Sequence, residues 1–369
     1  MGTHFLLVGA GHAHLTILKN LSTFLIKGHR VTVINAEPFH YYSGMGPGML
    51  SGIYSPQQIR FHVEKMVMDQ GGNFIRAQVV HIDPINQNVQ TASGKKISYD
   101  VACFNTGSHV PYPEITKNLT GEPFLFPVKP IENLLFAKNK LISLFKRKRP
   151  KIIVVGGGAA GVEIAANLRA LAVNHKQETD ITIVAGGNLL NRFNDRFRAA
   201  AKTMLQQQSI NLLEHSGATA ISNHCIILNT GLSLQCDMVL WAVGTKPSTL
   251  FKDSGLPTGP DGGLLVNEYL QSVYFPNIFG GGDCISFKNR RLEKVGVYAV
   301  RQNPILWDNL NNYTAGKPLI PFVPQKDFLT IFNMGNGQGL LNWKDFVFRG
   351  IIAFVLKNFI DQRFMKKFQ

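Results

Sequence analysis

Apolar and polar positions follow two rhythms along this chain. His4 to Val8 (HFLLV) is an unbroken apolar run, Ala13 to Lys27 carries helical spacing, and Arg30 to Asn35 (RVTVIN) is apolar again. Short apolar runs bounded by turn signals predict buried strands, and the stretch between these two has the length of a crossover helix. Residues 36–60, with EPFHYYSGMGPGMLSGIYSP at their centre, are rich in Gly, Pro and Tyr and read as loop. Shorter strands are predicted around FIRAQVVHID and NVQTAS, before a buried run, DVACFNTGS, that ends in a Gly turn. The succession then starts afresh at Lys151: a strand, a helix, the strand DITIVAGG, alternation through HCIILNTGLSLQ, and a buried run in DMVLWAVGTKP. PNIFGGGDCI and a helix from about Val297 to Asn312, kinked at Pro304, follow. The last fifty residues begin with alternation and end in an aromatic, basic helix.

Glycines mark both strand-to-helix junctions. In the first, Gly9 permits a tight turn and Gly11 lets backbone approach a pyrophosphate at a helix N-terminus, while His14 stands where a third glycine is usual. The acidic residue expected about 20 residues on, to hold a ribose, is displaced: the second strand ends at Asn35, with Glu37 two residues later. The second junction is complete, with Gly156, Gly158 and Gly161, and Glu163 just inside its helix. Its following strand ends at Ala185, without an acid, and Arg192 lies further along, so the choice between NADH and NADPH stays open. The doubled pattern predicts an α/β fold with two Rossmann-like dinucleotide-binding domains. A first domain, 1–115 and 271–320, is interrupted by a second, 116–270, and an extension, 321–369, ends in an amphipathic helix.

Composition narrows the chemistry. The 369 residues carry a net charge of +15, which suits anionic cofactors, nucleic acid or anionic lipid. No nucleic-acid-binding signature accompanies it, so nucleic acid is not an expected partner. The basic stretch KNKLISLFKRKRPK before Lys151 reads as a solvated helix end. Four cysteines (Cys103, Cys225, Cys236, Cys284) show neither CxxC nor zinc spacing, which argues for reduced thiols in an intracellular compartment and against a bound metal. The chain opens directly into a strand with no signal-peptide pattern, and no apolar run is long enough to span a bilayer. A cytoplasmic protein is expected, peripheral on the inner face of the membrane if its last helix docks there.

With these residues in place, the chain resembles the two-dinucleotide flavoproteins, the FAD-dependent pyridine nucleotide-disulfide oxidoreductases. NTGS (Asn105 to Ser108) is similar to the turn that closes their first FAD segment, LWAVGTKP to the matching turn of the nicotinamide domain, and IFGGGDC to their second FAD motif. GAGHAHL, YYSGMGPGMLSGIYS, VKPIENL and KVGVYAVRQNPIL are similar to the flavoprotein module fused to selenophosphate synthetases, and to type II NADH dehydrogenases. The resemblance implies FAD and NADH or NADPH as cofactors. It puts Gly9, Gly11, His12 and His14 at the FAD pyrophosphate, Thr106 and Gly107 in its closing turn, and Gly244 in the nicotinamide turn. It implies that Val79 meets the adenine through its backbone and that Asp283 holds the ribityl chain. The helix beginning at Val297 and Tyr298 would aim its N-terminus at the flavin, with Lys294 adding positive charge. Glu163 matches the Glu of the GVE motif and would orient nicotinamide and flavin.

The acceptor is the remaining question. HYYSGMGPGM carries no cysteine where disulfide reductases carry CxxxxC, and no cysteine pair suits sulfide oxidation. The C-terminal segment NWKDFVFRGIIAFVLKNFIDQRFMKKFQ mixes Phe, Ile and Val with Arg349, Lys357 and Lys367 roughly on one side, which fits a helix lying on an anionic membrane surface. By resemblance, such a helix reaches a quinone. The expected function is therefore an FAD-dependent NAD(P)H:quinone oxidoreductase with Glu163, Lys294 and Tyr298 at its centre. Two alternatives stand beside it: a soluble FAD reductase serving another small molecule or a protein, and a non-catalytic redox-responsive nucleotide binder. A homodimer is also left open.

Overall fold

The computed structural model describes residues 2–116, 124–222 and 224–369. Strand β1 (His4–Val8) is followed by a single 3-10 turn and two short helices, α1 (Leu15–Lys19) and α2 (Ser22–Ile26), and then by β2 (Arg30–Asn35). The one helix expected over residues 13–27 is therefore split. Asn20 divides it, its side-chain amide bonding back to Thr16 O at 2.8 Å in competition with the backbone ladder. Next come β3 (Asn73–Arg76) and β4 (Val101–Phe104). The second unit holds β5 (Leu125–Pro127), α3 (Glu132–Phe145), β6 (Lys151–Val155), α4 (Ala159–Asn174), β7 (Asp180–Val184), β8 (Ile210–Leu213) and β9 (Met238–Trp241). The chain returns through β10 (Leu264–Val266), β11 (Ile278–Gly280), β12 (Ile285–Phe287) and α5 (Gly296–Thr314). It finishes in β13 (Thr330–Asn333), β14 (Gly339–Trp343), β15 (Phe346–Gly350) and α6 (Ile351–Phe368).

Two five-stranded parallel sheets result, in the orders β11-β4-β1-β2-β3 and β5-β9-β6-β7-β8. In each, the first strand of a βαβ unit lies in the middle: β1 pairs Leu6 with Thr32 on one side and Ala102 on the other. Strands buried on both faces must be apolar throughout, which is why HFLLV and KIIVV read as continuous runs. Both sheets therefore present their carboxyl ends, and the turns beyond them, to ligands.

Two features differ from expectation. The chain rejoins the first domain before residue 271: β10 pairs in parallel with β12, the Phe251 ring lies 5.4 Å from Phe104, and Ile82 N–H donates to Ser254 Oγ at 2.9 Å. The C-terminal stretch is not one helix either. Residues 330–350 form an antiparallel sheet with a turn at Lys344 (φ +53°), and α6 begins only after Gly350, at φ +126°. Arg349 is thus on a strand and cannot share a helical face with Lys357.

Candidate active site

Where β1 and β4 end, the chain turns away at glycine. Gly9 has φ +82°, and a Cβ there would lie 2.4 Å from Asn105 O; a Cβ on Gly11 would lie 2.3 Å from Asn105 Oδ1. Asn105 is the reason for this crowding. Its carboxamide accepts from Ala13 N–H at 3.1 Å and donates to Gly281 O at 2.6 Å, pinning three turns that are far apart in sequence. The turns enclose a cleft of about 670 Å³ that brings together Gly11, His12, Asn35, Glu37, Thr106, Gly107 and Asp283, with the start of α5 at Gly296 and Ala299 closing one wall.

The polar atoms of this cleft want a ligand. His12 Nε2 and Thr106 Oγ1 are buried without a hydrogen-bond partner among the described residues, an arrangement that costs about 1–3 kcal/mol per group unless a bound molecule supplies the partner. His12 Nδ1 is 3.0 Å from His40 Nε2. Burial pushes His12 down to about 4 and His40 well below its ordinary value, so both imidazoles are neutral at pH 7. Asp283 Oδ2 accepts from Ser108 Oγ at 2.7 Å and from Lys129 Nζ at 2.9 Å, and no hydrogen bond among the described residues uses Oδ1. These groups fit the pyrophosphate and hydroxyl chain of a dinucleotide.

Several expected residues stand elsewhere. His14 is fully buried behind the turn, where its Nδ1–H donates to Gly9 O at 2.6 Å and its Nε2 meets Cys103 Sγ at 3.2 Å. It braces the cradle and does not line it. The Asn35 carboxamide is occupied at both ends, by Ala10 N–H (3.0 Å) and Glu37 O (2.6 Å), while the Glu37 carboxylate pairs with Arg76 at 2.7 Å. Val79 is buried in the small antiparallel sheet, paired with Thr91, outside the cleft wall. Lys294 forms an ion pair with Asp261 at 2.8 Å and is not among the residues that line the cleft. Tyr298 turns its ring toward Phe328, 5.9 Å away, so only the backbone start of α5 meets the cleft. Position along a helix start places a backbone, and the side chains at 294 and 298 point where their own partners lie.

The second cradle opens on a cleft of about 470 Å³ at the ends of β6, β7 and β9, lined by Gly156, Gly158 and Gly244 among others. Gly161 is forced: a Cβ there would lie 1.9 Å from Gly156 O. A Cβ on Gly158 would meet nothing within 4 Å, so that glycine faces open space a ligand can enter. Glu214, after β8, is engaged by Leu189 N–H and Lys202, both at 2.6 Å, and Arg192 pairs with Glu293 at 3.1 Å. Glu163 accepts from Asn333 N–H at 2.7 Å; burial raises it to about 7, against the pull of the Lys357 ammonium.

A third cavity, about 370 Å³, lies under α6 and went unnoticed in the sequence. It shares Ser43 and Gly296 with the first cleft and is lined further by Tyr42, Lys357, Ile360 and Asp361. Tyr42 Oη donates to Asp361 Oδ1 at 3.1 Å, and Lys357 Nζ donates to Asp361 Oδ2 at 2.7 Å and Gly44 O at 2.8 Å. Lys357 is therefore buried beneath α6 and contributes nothing to a basic outer face. Ala353, Lys357, Asp361 and Met365, at every fourth position, form the buried side of this helix. The other side exposes Ile351, Ile352, Val355, Phe359 and Ile360, with Arg363, Lys366 and Lys367 at its end. No helix among the described residues is long and apolar enough to cross a membrane, and no cluster of His, Cys, Asp and Glu among them is arranged to hold a metal ion.

The family described as Pyridine nucleotide-disulphide oxidoreductase matches residues 3–305. Among curated proteins, the chain is 26% identical to Ferroptosis suppressor protein 1 of Xenopus tropicalis over 288 residues, covering 73% of this chain and 71% of that protein. It is 25% identical to the Type II NADH:quinone oxidoreductase of Staphylococcus saprophyticus over 391 aligned residues, covering 97% of this chain and 94% of that one. Among solved structures it is similar to NDH2 from Plasmodium falciparum in complex with NADH, with a TM-score of 0.85 at 17% identity and 99% and 97% of the two chains covered. The sulfide:quinone oxidoreductase of Aquifex aeolicus aligns with a TM-score of 0.82 at 18% identity, covering 99% and 91%.

Proposed function

The chain belongs to the pyridine nucleotide-disulphide oxidoreductase family, and within it we propose an FAD-dependent NAD(P)H:quinone oxidoreductase of the type II NADH dehydrogenase kind. The observation that carries this reading is the third cavity, which touches the first cleft at Ser43 and Gly296 and lies between it and the outer face of α6. HYYSGMGPGM lacks the CxxxxC pair that a disulfide acceptor would call for, and Cys103, Cys236 and Cys284 are buried.

In this reading the first cleft holds FAD and the glycine loop of the second holds NADH or NADPH. FAD supplies, when bound, a ring that takes a hydride from nicotinamide and passes two electrons onward. The protein aligns and encloses. Asn105 and His14 fix the backbone of the first cradle, and Asp283 offers its free oxygen to a hydroxyl. Glu37 is the ribose ligand, because the amide of Asn35 is already committed to Ala10 and Glu37. Gly156, Gly158 and Gly161 admit the nicotinamide dinucleotide, while Asn333 on β13 of the C-terminal sheet holds the Glu163 carboxylate. Lys357 keeps one N–H after bonding Asp361 and Gly44 and presents it to an acceptor carbonyl in the third cavity, while Asp361 holds the Tyr42 hydroxyl beside it.

Ile360 and Leu329 line that cavity and are also exposed, so its mouth opens on the apolar face of α6. A lipophilic quinone enters there from a membrane surface, on which α6 rests with its basic end toward anionic headgroups. Two experiments test the reading. Anaerobic addition of NADH, then NADPH, bleaches the visible flavin bands, and a short-chain quinone restores them; bleaching that quinone leaves unchanged assigns the electrons to another acceptor. Flotation with anionic vesicles carries the protein upward, and Phe359→Glu abolishes flotation while water-soluble quinone is still reduced; a protein that stays with the soluble fraction overturns the membrane assignment.

A further inference from the structure

The first cleft has a peculiar charge balance. Among the described residues that line it, Lys129 is the only lysine or arginine. His12 and His40 are neutral, Glu37 is answered outside by Arg76, and burial pushes Glu132 up toward its neutral form. One cation therefore faces Asp283 and whatever charge the bound molecule brings. Lys129 does not belong to the first domain at all. It follows β5, the edge strand of the second sheet, and reaches across to Asp283 (2.9 Å) and Ser108 (3.1 Å). Its neighbour Val128 is tied to β9 by an N–H bond to Trp241 O at 3.0 Å, so the ammonium is held by the nicotinamide domain while it serves the other cleft. The side chain is three-quarters covered, which limits screening by water and salt.

We infer that Lys129 sets the redox balance of this site: it is the cation that favours the reduced cofactor over the oxidised one, the role for which the sequence had suggested Lys294. The inference rests on the proposed FAD site and extends it. Two-electron reduction with uptake of one proton leaves the flavin ring one unit more negative than before. A fixed positive charge in the same cleft stabilises that product more than the starting form, and the α5 N-terminus at Gly296 acts in the same sense. Removing Lys129 leaves Asp283 uncompensated, so the penalty falls on the reduced form in particular. At an effective dielectric of about 20, a unit charge across one cleft shifts such a preference roughly tenfold, which is about 30 mV for a two-electron couple.

The measurement is the midpoint potential of the bound flavin, read anaerobically against a reference dye during slow chemical reduction. It needs neither nicotinamide nor quinone. Lys129→Met lowers the potential by about the amount above, Lys129→Arg restores most of it, and Lys294→Met leaves it in place. If Lys129→Met sheds its flavin, titrating the FAD-free protein with oxidised and with reduced FAD gives the same quantity, as a roughly tenfold greater loss of affinity for the reduced form. An unchanged potential, equal losses for both forms, or an equal shift in Lys294→Met overturns the inference. A wild-type protein that holds FAD but is not reduced by NADH or NADPH sinks the proposed function and leaves this measurement standing; one that takes up no FAD overturns both.

Discussion

The two cradles of this molecule solve one problem by different means. In the second, a continuous 16-residue helix starts at the glycine turn, and its backbone presses so closely that Gly161 has no room for a side chain. In the first, the helix starts as a 3-10 turn over His12–His14 and breaks into two five-residue pieces. That looser start makes room for an imidazole at the third position, and His14 reaches back to hold Gly9 O. A short, broken helix offers a weaker dipole to an anion than a long one. Side chains compensate: His12, Asn105, Asp283 and Lys129 surround the first cleft, where the second relies mainly on glycine backbone. A missing glycine in such a motif thus signals a change of device, and the place to look is the side chain that replaced it.

This contrast can be broken from either side. The largest effect belongs to Gly161→Ala, whose new methyl must displace Gly156 O: the rate at which nicotinamides bleach the flavin falls by at least about 100-fold while FAD content is kept, as stopped-flow absorbance would show. His14→Ala, at the matching position of the first cradle, does the opposite, weakening FAD retention about tenfold and sparing nicotinamide binding. If both variants damage the same cofactor, the division of labour is wrong. Asn105→Ala leaves the Gly281 carbonyl and the Ala13 amide without their partner and costs about 2–3 kcal/mol, seen as a lower thermal midpoint and faster FAD loss.

A pH-dependent effect concerns Glu163, at the start of α4. In the folded protein it stays protonated up to about 7, and in the unfolded chain only up to its ordinary value near 4.5. The folded form therefore holds the extra proton between those values, and stability falls as pH rises through that window. Glu163→Gln keeps an oxygen for Asn333 N–H and removes the titration. Its thermal midpoint should match the parent near pH 4.5 and exceed it at pH 8, by the equivalent of roughly 3 kcal/mol. An equal change at both pH values would mean that burial does not hold the proton there.

What the sequence disclosed follows from the range of the interactions involved. β1 and β2 fall where HFLLV and RVTVIN placed them, because a strand buried on both faces writes its requirement into consecutive residues. Gly9, Gly11, Gly156 and Gly161 were legible for a similar reason: the turn and its cause lie within six residues. Asp283 was legible by resemblance. Lys129 was not, since its partner is 154 residues away and nothing in VKP marks the side chain as crossing between domains. Asn105 was seen only as part of a turn, its hub role resting on contacts 92 and 176 residues distant. Lys357 misled, because a lysine paired with Asp361 one turn on looks the same in sequence whether the pair faces water or the interior. The directions of the Lys294 and Tyr298 side chains were equally hidden, since their partners Asp261 and Phe328 are not marked in the string.

The last helix is also the floor of a room. Phe364 stacks over His12 with ring centres 6.1 Å apart and lies 4.8 Å from Tyr42, so the inward side of α6 completes the walls around both the first cleft and the third cavity. Cutting away the final 19 residues to obtain a better-behaved protein in dilute buffer would therefore expose the flavin-side residues to water along with the greasy exterior it aims to remove. Repainting the outside is the safer renovation: charged replacements at Ile352, Val355 and Phe359 alter the surface and leave the packing around Tyr42, His12 and Lys357 in place.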